Sequence, residues 1–106
     1  MENPNPTQWW KEACDLEMNG QIREAEEAIR NGCQHMAYAM ATADLYRRRM
    51  LRLKSEGDVA GAEEAFQNAS RWSASYASMA TSGGEGAALS LQRDKFQARL
   101  TREFRL

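Results

Sequence analysis

Apolar residues recur three or four positions apart over most of this chain, the spacing that keeps one stripe of a helix against a partner. Trp9, Ala13 and Leu16 share one face before Asn19 and Gly20 close the element, and Thr7 is placed to cap its start; the pattern predicts a helix over 8–18. Ile22, Ala25 and Ile29 continue to the turn-type pair Asn31 and Gly32 and predict a second helix over 21–31. Met36, Ala39, Ala43, Tyr46, Met50 and Leu53 then mark a long third helix, broken at Gly57. Asp58 can cap a fourth, whose stripe of Val59, Ala62, Phe66, Ala69, Ser73 and Tyr76 carries it towards Ala80. After the glycine-rich loop, Ser82 and Glu85 have capping-box spacing, and Leu89, Phe96, Leu100 and Phe104 outline a fifth helix. Both prolines fall within the first six residues, and the remainder is rich in Ala, Glu, Arg, Met, Leu and Gln, which lose little side-chain freedom in a helix. The expected class is all-α.

One alternative stays open. If Asn31 and Gly32 do not break the chain, the apolar positions from Ile22 to Leu53 form one heptad seam on a single helix of about 35 residues, which pairs with the fourth helix as a coiled-coil hairpin.

The segments "GQIREAEEAI" and "GDVAGAEEAF" lie thirty-seven residues apart and agree at Gly20 and Gly57, Ala25 and Ala62, Glu26 and Glu63, Glu27 and Glu64, and Ala28 and Ala65. The match extends backwards, with an aromatic residue opening each unit (Trp9, Tyr46) and a leucine seven further on (Leu16, Leu53). A glycine between paired helices followed by small alanines resembles the tetratricopeptide repeat, here in two units over about residues 6–79. The spacing exceeds the family's usual 34 residues, Glu12 and Arg49 occupy positions where the family favours leucine, and no proline follows the second helix of either unit.

The resemblance implies one helical domain: a flexible arm over 1–7, two helix-turn-helix units over 8–80, and a capping or dimerisation helix over 81–106. It also implies that the first helices of the two units line a peptide-binding groove presenting Trp10, Cys14, Glu17 and Met18 beside Asp44, Arg47, Leu51 and Lys54. Of the basic pattern that clamps a partner's terminal carboxylate in some members, only Arg47 is matched, so that ligand is not carried over. Two repeats are fewer than a solenoid core needs, and the fifth helix or a second subunit must complete it. The overhang of the longer helices places self-association on Tyr76, Met79, Leu89, Phe96, Leu100 and Phe104, with a homodimer as the simplest cover.

Composition narrows the function further. One hundred and six residues suffice for one modest core, and a formal net charge of −1 supplies no general attraction to nucleic acid or anionic membrane. The polar start lacks the basic-then-apolar layout of a secretory signal, and two cysteines make no disulfide framework, so the expected compartment is the cytoplasm. Arg47, Arg48, Arg49, Arg52 and Lys54 form a basic stretch that offers the alternative function of a nucleic-acid-associated protein; Glu26, Glu27, Glu63 and Glu64 are the expected ion-pair partners that would neutralise it. Cys14, Cys33 and His35 are too few and too scattered for zinc, no nucleophile motif accompanies the single histidine, and the glycines before Glu85 lack a P-loop lysine. The expectation is therefore a non-enzymatic module, without metal or cofactor, that binds another protein or peptide.

Overall fold

The computed structural model describes residues 8–32, 37–78 and 86–106, and among them every element is an α-helix. These are α1 (Gln8–Met18), α2 (Ile22–Gly32), α3 (Ala37–Ser55), α4 (Val59–Ser78) and α5 (Gly86–Arg105). Sequence and structure agree on the extent of α1, and α2 is displaced by one residue from the expected 21–31. Thr7, the turn around Cys33 and His35, Met36, the end of helix four beyond Ser78 and the Ser82–Glu85 capping box lie outside the described residues.

The repeat reappears as backbone geometry. Gly20 and Gly57 have φ angles of 81° and 83°, a left-handed conformation that costs a residue with a Cβ about 1–2 kcal/mol. Around the first, Gly20 N–H donates to the Glu17 carbonyl and Gln21 N–H to that of Leu16, both at 2.9 Å. Around the second, Gly57 N–H donates to Lys54 O at 3.1 Å and Asp58 N–H to Leu53 O at 2.9 Å. Both turns are thus the same Schellman motif in the same register, each satisfying the last carbonyls of its helix. Asp58 Oδ1 then accepts the Gly61 N–H at 2.9 Å, so the expected N-cap of α4 is in place.

A continuous helix through α2 and α3 is excluded by a contact between them. The Tyr46 hydroxyl donates to Glu26 Oε1, and these residues are 20 positions apart in sequence. In one unbroken helix that separation is about 30 Å. The coiled-coil hairpin is therefore not the structure.

α3 lies at the centre and packs against all four other helices. One side of it, through Leu45, closes a core made with Ala13 of α1 and Ala25 and Ile29 of α2, with Trp9, Leu16 and Ile22 packed around. The other side contributes Met50 and Leu53 to a second core with Ala62, Ala65 and Ala69 of α4 and Leu100 of α5. Alanines at the crossings bring the helix axes close together. Gly32 serves the same end in the first pair, since a Cβ there would collide with Trp9. α4 runs antiparallel to α5, with Tyr76 against Gln92, Ser70 against Gln97 and Phe66 against Phe104, and to α3, with Tyr38 near the start of α3 meeting Trp72 towards the end of α4; the Cα trace forms a slab of 41 × 38 × 16 Å.

Leu100 is fully buried within this second core, and Phe96 and Phe104 pack against it, Phe104 stacked on Phe66 with ring centroids 4.6 Å apart. The expectation that Leu100 presents a surface to a second subunit is corrected, because the chain's own core buries it; Phe96 and Phe104 are partly buried against the same core. The periodicity of α5 shows that a face is covered without showing by which helix.

Candidate protein-interaction surface

The eight expected groove residues divide between interior and surface. Glu17 and Arg47 are 3 % and 6 % exposed and are engaged by the chain's own charges, which corrects their assignment to an open groove. Glu17 Oε2 accepts hydrogen bonds from Arg52 Nη2 at 2.7 Å and Nε at 2.9 Å, with Arg49 Nη1 at 3.7 Å. Arg47 bonds Asp44 Oδ1 through Nε at 2.7 Å and reaches both carboxylate oxygens of Glu103 on α5 through Nη1. Lys54 donates from Nζ to the carbonyls of Glu103 and Phe104 at 3.0 and 2.7 Å, placing a cation on the exposed carbonyls that end α5.

These pairs take up most of the basic stretch. Arg47, Arg49, Arg52 and Lys54 point at acids or carbonyls of α1, α3 and α5, and only Arg48 keeps half of its side-chain surface. The stretch is ion-paired, as expected, but with Glu17, Asp44, Glu56 and Glu103 rather than the anticipated acids of α2 and α4. Glu26 instead accepts from Tyr46, where burial first and this bond second raise the phenol above its ordinary value.

A chain of contacts links α1 to α5 across α3. Trp10 lies edge-on to Trp9 at 6.2 Å, and the Arg48 guanidinium sits 5.5 Å over its ring. Arg48 is held by Asp44 at 3.2 Å, and Asp44 leads through Arg47 to Glu103 and Arg99. Half-buried Cys14 lies beside this line, its thiol pushed up by burial against the opposing pull of Arg48, and is therefore no activated thiolate. Further along α3, Leu51 and Lys54 floor an open hollow of about 330 Å³ shared with Ser55, Glu103 and Leu106. Met18 is 68 % exposed at the end of α1.

Sequence reasoning missed Arg48 as the organiser of this face and Glu103 and Leu106 as its far wall. Arg48 carried a readable signal, since Asp44 stands four residues before it on one helix. Of the residues expected to mediate self-association, Tyr76 is half-buried and donates to Gln92 Oε1 at 3.0 Å, while Met79 and the Leu89 side chain lie outside the described residues.

Models of known protein families, curated proteins and solved structures give no match to this chain. Among the described residues no helix is long and apolar enough to cross a membrane, and no three His, Cys, Asp or Glu side chains converge to hold a metal ion.

Proposed function

We propose that this chain is a non-enzymatic protein–protein interaction module, an adaptor or scaffold that also self-associates, built on tetratricopeptide-like helix pairs. The observation that carries the reading is the Trp10–Arg48 plate with the Leu51 hollow following it along α3, Arg48 and Leu51 being three residues apart on that helix. An aromatic ring under a guanidinium beside an apolar depression rimmed by charge is the kind of anchor that dominates protein interfaces. Two glycine turns of the same geometry and two alanine-lined helix pairs support the repeat reading.

A photo-crosslinking residue placed at Leu51, or at Glu63 on α4 as an exposed control, tests it in cells. A defined partner should be captured from position 51 and not from position 63, and the capture should be lost when Arg48→Ala is added. Capture that is equal at both positions, or indifferent to Arg48, overturns the assignment of this face. Salt-steep binding of the purified chain to a duplex oligonucleotide would favour the nucleic-acid alternative instead.

A further inference from the structure

The face of α5 directed away from the core has no neighbour among the described residues, and its charges are self-complementary. Leu100 at the centre of the helix is fully buried, and Ala98 lies roughly opposite it, exposed. Around Ala98 the outward stripe reads Leu91, Asp94, Ala98, Arg102 and Arg105, the three-four spacing of one helix face. Asp94, Ala98, Arg102 and Arg105 line an open trough of about 600 Å³. Leu91 is 55 % exposed. Arg102 and Arg105 form no ion pair among the described residues, and Asp94 holds only the adjacent Arg93, with side chains 63 % and 41 % exposed. A pair so exposed is worth little and exchanges readily for a better partner.

We propose that a second copy of this chain docks on this stripe, the two α5 helices antiparallel about a two-fold axis at Ala98, with Asp94 of each copy meeting Arg102 of the other. In such a pair, residues equally distant from the axis face one another. Asp94 and Arg102 each lie four positions from Ala98, and Leu91 and Arg105 each lie seven. The two-fold therefore sets opposite charges together twice and lays an exposed leucine along an arginine stem. The small residue falls where the helix backbones come closest. A parallel arrangement would instead bring Arg102 against Arg102. This inference deepens the self-association in the proposed function and rests on that part of it alone; the Leu51 hollow adjoins this stripe at Leu106 but shares none of Asp94, Ala98 and Arg102.

Light scattering over a range of concentrations on four samples decides it: the native chain, Asp94→Arg, Arg102→Asp, and an equimolar mixture of the two variants. The native chain should reach twice its 12.0 kDa mass. Each variant alone sets like charges together at both contacts and should dimerise about tenfold or more weakly. The mixture should regain the dimer, because opposite charges meet at both contacts of the mixed pair. In a background with Cys14→Ala and Cys33→Ala, Ala98→Cys should form an inter-chain disulfide under mild oxidation, and Glu63→Cys should not. A native chain of 12.0 kDa at every concentration overturns the proposal and the self-association reading together. A dimer indifferent to both charge changes, or a mixture no tighter than its components, overturns this face and leaves self-association to another one.

Discussion

Glu17→Ala should reveal how firmly the first helix pair is locked to the second by charge. The carboxylate is 3 % exposed and accepts two hydrogen bonds from Arg52, while Arg49 stands at 3.7 Å. Removing it leaves two guanidinium groups around a vacated interior position. Loss of one partner from a fully buried pair costs about 3–5 kcal/mol. Here Arg49 and Arg52 keep 25 % and 24 % of their side-chain exposure, and Arg52 retains Glu56 at 3.3 Å, so hydration and the remaining acid offset part of the loss. The expected cost is about 2–3 kcal/mol, equivalent to a fall in Tm of roughly 10–20 °C for a domain of this length. Urea unfolding followed by far-UV circular dichroism measures it, with an unchanged denaturant slope confirming that the native state is otherwise intact. Arg52→Ala should share the effect, the double variant losing less than the two single losses together by more than about 0.5 kcal/mol. A loss below about 0.5 kcal/mol for Glu17→Ala, or strict additivity with Arg52→Ala, would refute the argument that this ion pair couples the two halves.

Gly20→Ala and Gly57→Ala should each destabilise by about 1–2 kcal/mol and by nearly the same amount, since a Cβ at either position meets nothing within 4 Å and only the positive φ opposes it. Parallel denaturation curves for the two variants check this. Leu100→Ala should cost about 2–5 kcal/mol and loosen α5 from α4, seen as hydrogen exchange at the amides of α5 rising ahead of those of α1 and α2. Tyr46 gives a signed alkaline effect. Its phenol is held above the ordinary value of 10.0 in the fold, so its contribution is complete below about pH 10 and fades as pH climbs towards the folded value. Tyr46→Phe should remove that part of the alkaline loss, which stability measured as a function of pH reads directly.

Helix identity and boundaries were legible because the punctuation is chemical. Gly20 and Gly57 supply the only left-handed residues described, and Asp58 caps the helix it was expected to cap. The role of α3 was not legible. Its predicted stripe held Ala43, Met50 and Leu53, yet Leu45, Thr42 and Arg47 are buried as well, because the helix has neighbours on nearly every side. A one-face periodicity cannot describe a helix enclosed in this way. Arg47 and Glu17 read as surface for the same reason: charge marks a side chain for water unless its partner is known, and although Asp44 is local to Arg47, the partners on other helices, Glu103 and Arg52, sit 56 and 35 positions away. The inward stripe of Phe96, Leu100 and Phe104 was legible from α5, whereas the identity of what packs against it required the path of the chain.

Because α3 belongs to both cores, the molecule has no seam at which to come apart. In a long repeat array each unit leans on its neighbours and can melt by itself. Here Leu45 closes one core and Met50 and Leu53 the other, all from a single rigid rod. Unravelling either helix pair strips one flank of that rod, which exposes apolar surface belonging to the other half. Damage to one core is therefore felt in the other through a shared helix, and the two ends of the molecule are coupled by packing as well as by charge.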